Sequence, residues 1–215
     1  MGTFKLLYKV LTGSRRVRTM LSFSEKGYLD ELGWFEAYDR KVPVDQDNNP
    51  IPWVTYSFID FIKERLKKEH SVFEFGSGNS TYFYAKYAGT VVSVEHDKEW
   101  FDKIQGTKPE NAELMFCELV PDGDYCRLPQ KLEKTFDIIV VDGRDRVNCC
   151  RQAVKAVSET GVIVLDDSER ESYKEGISFL KSRGFKELAF TGISPGLFYR
   201  KATSVFYRPE NCLGI

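Results

Sequence analysis

Ser71-Val72-Phe73-Glu74-Phe75-Gly76-Ser77-Gly78-Asn79-Ser80-Thr81 decides how this chain is read. A short apolar run ends in a carboxylate, two glycines follow one residue apart, and a Ser/Thr/Asn cluster opens an aromatic helical pattern. Glycines at this spacing let the backbone turn sharply and lie close against a ligand. The helix beginning near Asn79 directs its unpaired N–H groups into the same space. The stretch predicts a nucleotide-type pocket at the carboxyl end of a strand.

Working outward, strands and helices alternate from Trp53 onward. A helix is predicted over 55–68, with Phe58, Ile59, Ile62 and Leu66 on one side. Strands are predicted at 72–75, 91–95, 114–117, 136–141 and 161–165. Helices are predicted at 80–87, 98–104, 147–158 and 173–182, the last closed by Gly184. Continuous runs such as Ile138-Ile139-Val140-Val141 suit strands covered on both faces. This order predicts an α/β fold, a doubly wound and mostly parallel sheet. Strands at 185–191 and 204–207 are separated by little but Gly192-Ile193-Ser194-Pro195-Gly196, which predicts a terminal antiparallel hairpin.

Ahead of this region, residues 1–24 form a basic leader. Phe4, Leu7, Tyr8 and Leu11 fall at helical spacing, with Lys5 and Lys9 between them and Arg15, Arg16 and Arg18 after them. Residues 1–20 fit a helix lying on an anionic membrane surface. They also fit a helix packed on its own domain or on a second subunit of a homo-oligomer, and the spread of apolar residues off one face favours this. Residues 25–56 read as irregular and aromatic, either a lid over the pocket or a packed extension. The chain thus divides into a helical and loop extension, 1–56, and a ligand-binding domain, 57–215. Asp45-Gln46-Asp47-Asn48-Asn49 lacks the glycine and distal glutamate of a calcium loop and reads as a solvated turn.

The 215 residues suffice for one good core. A formal net charge of -1 provides no general attraction to nucleic acid. Five cysteines without a C-x-x-C pair, and two histidines, argue against a zinc cluster. The odd cysteine count and lack of a secretory leader point to the cytoplasm, with membrane-peripheral attachment if the leader binds lipid. No run approaches a spanning helix.

A dinucleotide fingerprint would need a third glycine where Thr81 stands, and a Walker loop is absent. Glu74, Gly76 and Gly78 instead match the [DE]-x-G-x-G motif of the class I S-adenosylmethionine-dependent methyltransferases, which this chain resembles over roughly residues 70–208. The resemblance implies a Rossmann-like seven-stranded sheet ending in an antiparallel hairpin. It implies that Gly76, Ser77, Gly78 and Ser80 cradle S-adenosylmethionine beside Glu74. It places Glu95, with His96 next to it, at the ribose, and Cys117 and Glu118 at the adenine. A carboxylate accepting from two hydroxyls suits the ribose position.

A second acidic constellation follows two later strands: Asp142 after the fourth, and Asp166 with Asp167 after the fifth. Neighbouring strand ends open into one crevice, where like charges repel unless protonated or neutralised. Hard oxygen ligands suit a divalent cation such as Mg2+. The pattern is similar to metal-dependent O-methyltransferases, Leu165-Asp166-Asp167 being nearer the macrocin-type sugar enzymes than the catechol type. That resemblance implies Asp142, Asp166 and Asp167 as metal ligands, with Asp142 and Asp167 catalytic. The other reading has Asp142 on cofactor or substrate and the Asp pair capping the next helix. Without metal, Asp142 or His96 is the candidate base. Arg144, Arg146 and Arg151 fit either an anionic substrate or ion pairs with acids such as Asp145. Cys149-Cys150 read as buried filler and Asp137 as structural.

Motifs of amino-group and cytosine nucleic-acid methyltransferases are absent. The aromatic stretch from Gly33 to Tyr56 resembles methyltransferase-like proteins linked to surface-polysaccharide synthesis. Together these point to O-methylation of a glycan precursor or another small hydroxylated acceptor. Alternatives are an RNA or protein methyltransferase, or a cofactor-binding partner protein without catalysis.

Overall fold

The computed structural model describes Tyr8, residues 15–23 and residues 25–215. Most of the basic leader, including Phe4, Leu7 and Leu11, lies outside the described residues. Its described part includes helix α1 (Arg15–Ser22), on which Met20 and Leu21 are largely exposed. Among the described residues, no helix is long and apolar enough to cross a membrane.

Seven strands form one sheet: β1 (Ser71–Phe75), β2 (Thr90–Glu95), β3 (Ala112–Phe116), β4 (Phe136–Val141), β5 (Val157–Asp166), β6 (Lys186–Gly192) and β7 (Lys201–Tyr207). Their order is β3-β2-β1-β4-β5-β7-β6. The first five run parallel, while β7 pairs antiparallel with both β5 and β6. The doubly wound sheet and the terminal hairpin are therefore as expected.

Side-chain alternation builds a core on each face. Val72, Val91, Ile138, Val140, Val162 and Val164 join one cluster, which includes Phe58, Ile59 and Ile62 of α4 (Tyr56–Arg65). Phe73, Phe75, Val92, Val94, Ile139, Val141, Ile163 and Leu165 join the other, with Cys149 and Cys150 of α8 (Arg146–Ala153). Both cysteines are buried, and burial pushes their thiols up, that of Cys150 to about 12. Asp137, at the N-terminal end of β4, accepts from Ser71 N at 2.9 Å and Ser71 Oγ at 2.8 Å, a structural role as read.

Three local expectations need correcting. The segment read as irregular contains α2 (Tyr28–Glu31) and α3 (Trp34–Arg40). Trp34 stacks on Tyr38 one turn further along α3 and donates to Leu197 O at 2.9 Å, so α3 has both a local and a tertiary support. Between β3 and β4, an unexpected helix α7 (Asp124–Lys131) contains Pro129, a residue that argues against helix in a local reading. Helix α8 stops at Ala153, because β5 begins at Val157 and shifts register before Val162. Further helices among the described residues include α5 (Asn79–Tyr87), α6 (Lys98–Gln105) and α9 (Lys174–Ser182), the last followed by left-handed Gly184.

Candidate active site

Strand order reverses between the parallel neighbours β1 and β4, with β2 and β3 laid down to one side and β5 to the other, and the carboxyl ends beside such a switch point are where open α/β sheets bind ligands. Phe75 pairs with Val141 there, so the loops at Gly76 and at Asp142-Gly143 lie side by side. A Cβ on Gly143 would fall 2.1 Å from Tyr125 Oη and 3.0 Å from Gly76 N. Only glycine allows this close approach.

Glu74 and Ser93 are cross-strand neighbours on one face, and Thr81 descends onto them from α5. Thr81 Oγ1 donates to Glu74 Oε2 at 2.7 Å and Ser93 Oγ donates to it at 2.8 Å. Glu74 is therefore buried beneath the glycine loop and ties that loop to β1 and β2. Burial raises its pKa to about 7, against the opposing effect of hydrogen bonds from Ser80, Thr81 and Ser93.

Glu95, also buried, accepts from Ser77 Oγ at 2.7 Å on Oε2. Its Oε1 accepts from the backbone N–H groups of His96 and Asp97 at 2.8 and 2.9 Å. His96 Nδ1 lies 3.0 Å from the same oxygen. Trp100 Nε1 donates to Ser77 O at 3.0 Å, and the indole lies beside Gly78. Glu118 is exposed just past β3. Cys117 N donates to Glu95 O at 2.9 Å, which brings the two strand ends together.

The three later aspartates do converge, and two cations stand between them. Arg146 Nη2 is 3.0 Å from Asp142 Oδ1, and its Nη1 is 3.2 Å from Asp167 Oδ2 and 3.7 Å from Asp166 Oδ2. The same guanidinium donates to the carbonyls of Asp142, Gly143 and Asp166. Lys201 Nζ is 2.7 Å from Asp166 Oδ2 and 3.0 Å from Asp167 Oδ1. Arg170 adds a contact of 2.8 Å to Asp167 Oδ2, and Thr203 Oγ1 donates to Asp166 Oδ1 at 2.8 Å.

This arrangement does not fit the expected divalent cation at Asp142, Asp166 and Asp167. Both carboxylate oxygens of Asp166 and Asp167, and Oδ1 of Asp142, are already engaged by protein cations and a hydroxyl, which among the described residues leaves Asp142 Oδ2 alone of the six to meet a metal. Among the described residues, no group of three or more His, Cys, Asp or Glu side chains could hold a metal ion. The anion-binding expectation for the arginines changes as well: Arg146 is consumed inside this cluster, and Arg151 pairs with Glu175. Arg144 stays exposed.

Asp142 faces a cavity. That cavity, about 200 Å³, is lined on one side by Ser77, Gly78, Asn79 and Ser80, and on the other by Lys41, Val42, Pro43 and Trp53. The aromatic extension thus covers the glycine loop, held by Asn79 Nδ2 donating to Pro43 O at 2.7 Å. Burial raises the Asp142 pKa well above the carboxylate range, and the charge of Asp166 adds to this while Arg146 and Lys201 oppose it.

Ser77, Gly78, Ser80 and Asp142 therefore share one cavity, whereas Glu74 lies beneath it and Glu95 is closed over by Ser77. Trp100 and Lys201 carried no local signal, since each reaches the site only through strand order. The turn expected at Asp45–Asn49 is present: Asp45 Oδ1 accepts from the N–H groups of Asp47 and Asn49.

No protein-family model and no curated protein sequence matches this chain. Solved structures do match. A methyltransferase-like protein from Silicibacter pomeroyi superposes with a TM-score of 0.54 at 20% identity, over 74% of this chain and 89% of that one. A precorrin-6y C5,15-methyltransferase from Geobacter metallireducens gives 0.53 at 14% identity, over 80% and 96%. An rRNA methylase from Streptococcus thermophilus gives 0.52 at 15% identity, over 69% and 93%. At these identities the likeness is one of fold, and the fold is the Rossmann-like methyltransferase fold expected from the glycine motif. The likeness does not single out metal-dependent O-methyltransferases.

Proposed function

We propose that this chain is an S-adenosylmethionine-dependent methyltransferase that O-methylates a small hydroxylated acceptor, a glycan precursor being the preferred class. The observation that carries the reading is the covered cavity where the glycine loop, the start of α5 and Asp142 meet. S-adenosylmethionine would be held by the Gly76–Ser80 loop, with Glu95 at its ribose once Ser77 turns aside. His96 and Glu118 border the adenosine side.

The bound cofactor supplies a methyl group already activated on a sulfonium, so the protein's task is alignment and proton removal. Asp142 suits the second task. Arg146 holds its Oδ1, no described residue donates to its Oδ2, and the carboxylate lines the cavity. A carboxylate of raised pKa is a better base for an alcohol than an ordinary one. Asp167, turned onto Arg146, Arg170 and Lys201, fits a positioning role. Lys41, Pro43 and Trp53 form the wall facing the glycine loop across this cavity. The balanced net charge supports a small acceptor over nucleic acid.

Calorimetric titration with S-adenosylhomocysteine, followed by radiolabelled methyl transfer to cell-envelope glycan fractions and to bulk RNA, tests the reading. Binding with transfer to glycan supports it. Absence of binding defeats it, and transfer to RNA alone replaces the acceptor class.

A further inference from the structure

Next to the covered cavity lies a second, wider hollow of about 600 Å³ between α3 and the β6–β7 loop. Tyr38, Asp39, Lys41, Trp53, Leu197 and Phe198 line it. Lys41 and Trp53 line both spaces, so the groove opens directly beside Asp142 and the glycine loop. We infer that this groove is the acceptor subsite and that the acceptor it takes is a saccharide. The inference rests on the methyltransferase reading and deepens it.

The groove is built, not incidental. Trp53 Nε1 donates to Pro195 O at 2.7 Å and Trp34 Nε1 donates to Leu197 O at 2.9 Å, so two indoles fasten the β6–β7 loop to the extension. Tyr56 N adds a bond of 3.1 Å to Ile193 O. Gly196, in the left-handed region, rests against the backbone of Ala37 and Tyr38, where a Cβ would come within 2.9 Å. A wall fastened in this way keeps its shape without ligand, which lowers the ordering cost of binding.

Its surface chemistry is selective. Phe198 is 77% exposed, and Tyr38 and Trp53 are 49% and 40% exposed. Aromatic rings gathered on one concave surface are a binding feature, unlike scattered exposed apolar residues. Asp39 and Lys41 lie among them and enter no ion pair among the described residues. The groove therefore combines ring faces with one acceptor group and one donor group. A pyranose matches this pairing: its C–H faces rest on rings while its hydroxyls meet Asp39 and Lys41. A planar apolar acceptor would cover the same rings but desolvate both charges without return. One lysine offset by one aspartate also provides no net field for a polyanion.

Saturation-transfer NMR on the full chain, with S-adenosylhomocysteine present, tests the assignment. The probe is a mixture of the methyl glycosides of glucose, galactose, mannose, rhamnose, N-acetylglucosamine and glucuronic acid, with catechol as a separate arm. Transfer to ring C–H protons of at least one glycoside is expected, falling about fivefold or more in Phe198→Ala and returning in Phe198→Trp. Silence from every glycoside, equal transfer in Phe198→Ala, or transfer to catechol alone overturns the proposal. Calorimetry with S-adenosylhomocysteine keeps the two readings apart. Unchanged cofactor affinity in Phe198→Ala leaves the methyltransferase reading intact whatever the glycosides do, whereas a wild-type chain that fails to bind removes that reading itself.

Discussion

The ammonium of Lys201 stands 2.7 Å from Asp166 Oδ2, with both side chains buried at the carboxyl end of the sheet. The pair exists because β7 runs antiparallel beside β5, which brings the first residue of β7 near the last of β5. Lys201 also donates to Trp53 O at 3.1 Å and so joins the covering segment to the acidic cluster.

Lys201→Ala should destabilise the protein by about 3–5 kcal/mol, because it strands Asp166 and Asp167 as buried carboxylates short of a cation. Asp166→Asn added to it should recover part of that loss. Urea denaturation of the two single variants and the double variant measures the coupling. Additive losses would mean that the pair is not coupled.

Methyl transfer should be insensitive to EDTA and to added Mg2+. Arg146, Lys201 and Arg170 already balance the three aspartates, and a cation would have to displace them. An initial rate that collapses on chelation would refute the charge balance described for this cluster.

Glu74→Gln should flatten the pH dependence of stability. The folded state holds the Glu74 proton up to about pH 7, whereas its ordinary value is 4.5. The contribution is full below pH 4.5 and is lost as pH rises through 7, a decline of up to about 3 kcal/mol at 1.36 kcal/mol per unit. The amide carbonyl still accepts from Thr81 and Ser93. Melting temperatures should therefore agree near pH 5 and favour the variant by several degrees at pH 8. Parallel curves for the two proteins would sink this account.

Asp142→Asn should lower the methyl-transfer rate by about 10²–10⁴ while leaving S-adenosylhomocysteine affinity within a few-fold. Since its pKa is raised, the wild-type rate should climb with pH on an acid limb well above the ordinary carboxylate range. The variant should lack that limb. A rate unchanged by the substitution would take Asp142 out of proton removal.

Ser77→Ala should bind S-adenosylhomocysteine more tightly, by about fivefold. Ser77 Oγ occupies Glu95 Oε2 at 2.7 Å, and a ribose hydroxyl must take its place. Removing one hydrogen bond of roughly 1 kcal/mol from the free state lowers that cost. Weaker binding in calorimetry would show instead that the serine contacts the ligand.

Local pattern sufficed for the strands that form the sheet. Val72–Phe75, Val91–Glu95 and Phe136–Val141 are apolar runs that form strands wherever both faces are covered. The Gly76-Ser77-Gly78 turn and the acids at strand ends were equally readable, because each depends on residues adjacent in sequence. The α7 helix is not legible locally, since Pro129 and a short length obscure its period. The α3 helix is not either, because a long-range support, Leu197 O, lies 163 residues away.

Sequence alone therefore determined the sheet, its terminal hairpin and the glycine loop at the carboxyl end of β1. Tertiary structure alone decided what becomes of the charges placed there. Glu74 meets Thr81 and Ser93, Glu95 meets Ser77, and Asp166 meets Lys201. An acidic residue at a strand end signals a ligand, a metal or an ion pair with the same letter. Which of them it serves depends on the cation that strand order brings within a few ångströms, and no local pattern encodes that distance.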